Sequence, residues 1–211
     1  ERVLSALRGY SDPPGYKDPE TGERFDDLEL EYDIPIIYRA DRVPEMFRYP
    51  DGRGVPVHDR FAYKGDVEVP ERSTSSLFRG VGHAWLGSGT GENQIQAHLH
   101  FSGGYGHEHA DNLSIALFAK GHELLPDLGY THTRHRAWST STLSHNTVIV
   151  DEQRQFTRGR DTFSDGRLLA FDDSWEVAQW VEAGGERAYP DLVETFRRGL
   201  LLVRVSETDA Y

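Results

Sequence analysis

The strongest constraint on folding is a series of short apolar segments with a period of two, each bounded by Gly or Asp, that begins near residue 76. In Ile95-Gln-Ala-His-Leu-His-Phe101, Ile95, Ala97, Leu99 and Phe101 fall on one side of an extended chain and Gln96, His98 and His100 on the other. A helix would scatter these residues around its axis. Comparable segments at 80–86, 94–101, 112–119, 145–150, 167–171, 175–182 and 194–205 predict a mostly β domain. Their short spacing favours antiparallel strands packed as a β-sandwich over residues 76–211.

Residues 1–75 have a different character. They contain most of the ten Pro, and runs such as Ser11-Asp-Pro-Pro-Gly-Tyr-Lys-Asp-Pro-Glu-Thr-Gly22 disfavour long helices and strands. This segment is expected to be a loop-rich lead-in. The opening residues 1–8 read as the tail of a helix, and the closing strand runs into a turn where another strand would begin. The chain is therefore expected to be a fragment of a longer protein.

Composition narrows the chemistry. A net charge of −12 argues against binding nucleic acid, which requires a surplus of cations. No apolar run approaches the ~20 residues of a bilayer-spanning helix. With no Cys, any metal must be held by His, Asp or Glu, so the ten His become the residues to account for.

Seven of them stand out in four groups: His98 with His100, His107 with His109, His132 with His135, and His145. On the strand pattern His98 and His100 occupy a solvated face. His107-Glu-His109-Ala-Asp111 follows the Gly-rich turn Ser102-Gly-Gly-Tyr-Gly106, which aims side chains from a fixed corner. Asp127 ends the next apolar run, and His145 follows the irregular, basic loop 130–144. If these segment ends converge, His109, Asp127 and His145 form a two-imidazole, one-carboxylate set suited to Zn²⁺. The alternative is a turn aspartate and two separately hydrogen-bonded histidines.

Three ordered blocks carry a family resemblance: His107-Glu-His-Ala-Asp-Asn-Leu-Ser-Ile115, then Gly121-His-Glu-Leu-Leu-Pro-Asp-Leu-Gly-Tyr130, then Ser141-Thr-Leu-Ser-His-Asn-Thr-Val-Ile-Val-Asp151. Together they resemble the central sheet domain of the heparinase II/III-like polysaccharide lyases, which include heparin, heparan and alginate lyases. The resemblance implies a β-sandwich that follows an α/α-toroid domain missing from this chain. It also implies an acidic polysaccharide as partner, and a periplasmic or secreted location in a bacterium. It assigns His109, Asp127 and His145 to a structural zinc ion that tethers the intervening loop beside the active cleft.

The resemblance further implies β-elimination at a uronate. That reaction needs a neutraliser for the sugar carboxylate, a base at C5 and an acid at O4. His107 matches the family's active-site histidine, as base or as part of the neutraliser. Tyr130 is the only Tyr between Asp127 and His145; it stands either for the tyrosine base or acid of several members or for an aromatic packed beside the Asp-Leu-Gly turn, the loop being short for the family pattern. His132 and His135 are possible replacements. Arg134 and Arg136, with Arg154, Arg158 and Arg160, make the loop cationic and suited to steering a polyanion, so His132, Arg134, His135 and Arg136 are the expected substrate-binding residues. Trp138 is expected to anchor this loop rather than to stack on sugar. The family's remaining catalytic groups come from the toroid, so the isolated segment should be inactive.

Two other classes fit parts of the pattern. A cupin-like metal enzyme also uses HxH, but the Glu that follows its second His after three or four intervening residues is replaced here by Leu113 or Ser114. A non-catalytic, zinc-stabilised carbohydrate-binding sandwich would use Trp138, Trp85 or Tyr105 as stacking platforms.

Overall fold

A computed structural model describes residues 48–56, 69–79, 82–102, 109–129, 131, 133–157 and 166–211. Among these residues, eight antiparallel strands form two sheets. The larger has the order β1 (Ser76–Phe78), β2 (His83–Ser88), β3 (Ile95–His100), β4 (Ile115–Ala119) and β5 (His122–Leu125). The smaller contains β6 (Arg167–Asp172), β7 (Ala178–Gly184) and β8 (Arg197–Val203), in that order. Every neighbour in each sheet is a neighbour in sequence, as a meander of short connections dictates.

The sheets pack face to face, with β2 and β3 opposite β7 and β8. Alternation decides which residues enter the core. Ala84 pairs with Leu99 and Leu86 with Ala97, and these face Val181, Ala183 and Leu202 of the smaller sheet. Phe101, Leu113, Tyr189 and Phe196 fill the end of the same core. Removing a Leu such as Leu99, which has no exposed surface, from water contributes about 2–3 kcal/mol.

The opposite face of the larger sheet is buried as well, which overturns the expectation that His98 and His100 are solvated. His83 pairs with His100 and Trp85 with His98, so all four lie on this face. His98 sits edge-on to Trp85 at 4.0 Å and stacks with His83, whose Nδ1 is 3.1 Å from His98 Nε2. Further along the face Phe118 stacks on Tyr49 at 5.2 Å, and Tyr49 is itself buried. Trp85 lies too deep to present a stacking platform.

Most predicted strands form with ends shifted by no more than three residues. The segment 145–150 does not. Its backbone groups are taken by other partners: the Asn146 carbonyl accepts from Ile115 N–H and from Arg198, and Val150 turns back onto Gln153 through Asp151 and Glu152, both at positive φ. β1 and β5, with three and four residues, carry too little alternation to be read in advance. The loop expected to lack regular structure contains a short helix, α1 (Arg136–Ser139), followed by a 3₁₀ turn at Thr142–Ser144.

Candidate metal centre

The larger sheet ends where its polar chemistry collects. β3 delivers His100, and the chain returns to the sheet through His109, Ala110 and Asp111 before β4. Asp127 lies just beyond β5, and His145 follows the 3₁₀ turn. His100, His109, Asp111, Asp127 and His145 are all buried.

Their atoms meet in an ordered set. Asp127 Oδ1 is 2.5 Å from His145 Nδ1, and the His109 and His145 rings have centroids 5.1 Å apart. Asp111, with no exposed surface, places Oδ2 3.2 Å from His100 Nε2 and 3.8 Å from His145 Nδ1. One possible ligand atom each from His109, Asp111 and His145 fall within 4.8 Å of one another, as do those from His100, Asp111 and Asp127. The sequence-predicted trio of His109, Asp127 and His145 is thus drawn to one region, and Asp111 is the member shared by both groups.

Electrostatics explains why such a set calls for a cation. Two buried carboxylates without countercharge would cost several kcal/mol each. Burial lowers the pKa of His145, but its hydrogen bond to Asp127 and the charges of Asp111 and Asp127 outweigh that and raise it. His145 Nε2 is buried with no hydrogen-bond partner of normal geometry. Imidazole and carboxylate donors converging in this way fit a divalent ion of the Zn²⁺ type.

The loop between Asp127 and His145 is held by more than its ends. The Thr140 carbonyl accepts from Ala110 N–H, and the Ser144 hydroxyl lies within hydrogen-bond reach of the carbonyls of Trp138, Ser139 and Ser141, at 2.8 Å from the last. Buried Gln155 accepts from Asn112 N–H at 2.6 Å and donates to Asn112 O at 3.0 Å, while its own N–H donates to Thr142 Oγ1. Sequence reading passed over Gln155, which looks like one more polar residue in a basic stretch. Trp138 does not anchor the loop: it is 52% exposed, because serine and threonine hydrogen bonds supply the order an apolar contact was expected to give.

Arg134 and His135 lie on the exposed side of this loop, with Arg134 Nε 3.3 Å from His135 Nε2. Arg136 is half-buried and reaches the Thr131 carbonyl, and Arg154 donates to the Thr140 carbonyl. His107, Tyr130, His132, Arg158 and Arg160 lie outside the described residues, as do Tyr105 and the opening segment 1–8.

Comparison with known proteins finds the same architecture. The family profile described as Heparinase II/III-like, C-terminal, matches residues 70–208. An exo-oligoalginate lyase of Saccharophagus degradans is 30% identical over 171 residues, covering 74% of this chain and 22% of the relative. An alginate lyase of Stenotrophomonas maltophilia is 28% identical over 115 residues, covering 46% of this chain and 15% of the relative. The crystal structure of heparan sulfate lyase HepC from Pedobacter heparinus superposes with a TM-score of 0.64 at 18% identity, over 81% of this chain and 31% of that one. The chain thus spans about a fifth of the length of the first of these lyases and about a third of HepC.

Proposed function

The chain belongs to the heparinase II/III-like family through its C-terminal domain, and from that premise we propose that it is the zinc-bearing half of a polysaccharide lyase cleft. The substrate is an acidic, uronate-containing polysaccharide, cleaved by β-elimination. The observation that carries this reading is the buried cluster of His109, Asp111, Asp127 and His145 at the root of a loop presenting Arg134, His135 and Arg136.

His109, Asp127 and His145 hold the metal in this reading. A bound Zn²⁺ supplies positive charge that offsets the buried carboxylates and fixes both ends of the loop. The reacting groups are separate. His107 serves as the base at C5 or helps neutralise the sugar carboxylate, Tyr130 serves as the base or the acid, and His132, Arg134, His135 and Arg136 steer and hold the polyanion. A missing α/α-toroid domain of the same protein supplies the other wall of the cleft, so the 211-residue chain alone binds but does not cleave. A substrate of polymeric size also implies action outside the cytoplasm of a bacterium, in the periplasm or beyond.

The test uses the full-length protein that contains this segment. Unsaturated uronate product should form from an acidic polysaccharide and disappear in His107→Ala while zinc stoichiometry is retained. Full activity in that variant would remove His107 from the chemistry, and absence of unsaturated product on alginate and heparan sulfate alike would remove the lyase reading.

A further inference from the structure

The geometry points to a second carbohydrate-binding site, remote from the metal centre, in the cleft between residues 72–75, the end of β2 and the loop joining β6 to β7. This site takes a pyranose unit of an acidic polysaccharide. The cleft has a volume of about 340 Å³, within the range of small-molecule sites. Its residues include Arg72 and Arg204, Asp173 and Glu176, Trp175 and Gln179. β2 fixes its distance from the metal cluster. His83, at one end, pairs with His100, whereas Ser88, at the other, lines the cleft, and five residues of strand span about 17 Å.

The cleft is organised in advance of a ligand. Gly87 permits close approach of the 72–75 segment, since a Cβ there would fall 2.6 Å from the Thr74 carbonyl oxygen. Ser75 Oγ accepts from Gly87 N–H and donates to Gln179 Oε1, which fixes one end of the Gln179 amide. Asp172 Oδ1 accepts from both N–H and Oγ of Ser174, folding the loop that carries Trp175. Arg204 is held by Glu176 at 2.7 Å. Against this fixed polar floor, Trp175 is left 65% exposed. An indole exposed beside hydroxyl, amide and guanidinium groups matches the two surfaces of a sugar, an apolar C–H face and a rim of hydroxyls. Arg72 provides the cation a uronate carboxylate requires, while the guanidinium of Arg204 is paired with Glu176 and offers its remaining N–H groups to sugar hydroxyls.

The acidic class of ligand rests on the proposed function; the site itself rests on Trp175 and its cleft. The experiment titrates the 211-residue chain with alginate and heparan sulfate oligosaccharides, and with a neutral β-glucan oligosaccharide, by calorimetry and tryptophan fluorescence. Binding of an acidic oligosaccharide should weaken at least tenfold in Trp175→Ala and in Gln179→Ala, with circular dichroism unchanged. It should persist when zinc is removed by a chelator. Equal affinity in the wild type and both variants, binding of the neutral sugar alone, or no binding to any of the three would overturn the proposal. A lyase failure is read separately, since it concerns product formation by the full-length protein.

Discussion

Asp127 and His145 are 18 residues apart in sequence, yet Oδ1 of the first and Nδ1 of the second meet at 2.5 Å with both side chains buried. Closing a flexible loop of that length costs roughly 2–3 kcal/mol of chain entropy. The contact is therefore useful only if the surrounding structure, or an ion, holds both partners in place.

A first prediction concerns metal content. The purified chain should carry about one equivalent of zinc, and His109→Ala or His145→Ala should abolish it. Chelation should lower the melting temperature of the wild type and leave that of both variants unchanged. Elemental analysis with calorimetry checks this, and wild-type zinc content in the two variants would contradict the assignment.

Asp111 has a distinct expected behaviour. It touches the surroundings of every proposed ligand, so Asp111→Asn keeps the shape while removing a buried charge. Zinc affinity should fall about 10–100-fold, as for groups that orient metal ligands. Competition with a chromophoric chelator measures it, and unchanged affinity would confine Asp111 to packing.

Gln155 is predicted to hold the basic loop. Gln155→Leu fills the space but leaves Asn112 N–H buried without its acceptor, while Asn112 C=O keeps the hydroxyl of Thr147. Stability should drop by about 1–3 kcal/mol in urea. Gln155→Glu, which retains an acceptor for the N–H, should lose less.

The phenol of Tyr49 supplies a pH test. Burial, followed by the charge of nearby Glu123, holds its pKa well above the ordinary value near 10. The unfolded chain then loses this proton before the folded one does, so the unfolded state binds fewer protons above pH 10. The stabilisation is complete below pH 10 and declines above it by about 1.4 kcal/mol per pH unit. Urea unfolding at pH 9 and pH 11 should show this slope in the wild type and a reduced slope in Tyr49→Phe.

Much of the sandwich was legible because alternation reports which residues share a face. Ile95, Ala97 and Leu99 were placed correctly on that basis. The pattern cannot report whether the polar face is covered, and so His98 and His100 were read as solvated when Trp85 and His83 lie against them. The convergence of Asp127 and His145 was legible from ordered motifs. Asp111 stands out in the sequence only as the end of the His107–Asp111 block, since its contact with His100 depends on how separate segments pair. The 145–150 segment has the apolar content of a strand, but its hydrogen bonds go to side chains and turns, which no periodicity records.

Arg198 gives the two sheets a common fate. It rises from β8, yet its guanidinium donates to the carbonyls of Leu113 and Asn146, each a residue or two beyond Asp111 or His145. Burial lowers its pKa, and those two oxygens hold it in place from the other side of the sandwich. Opening of the smaller sheet would withdraw that clamp and loosen the ligand loops with it. On heating, release of the metal proposed above and loss of the Trp180 environment should then occur in one transition rather than two, so that metal release would report the opening of a sheet that carries none of the proposed ligands.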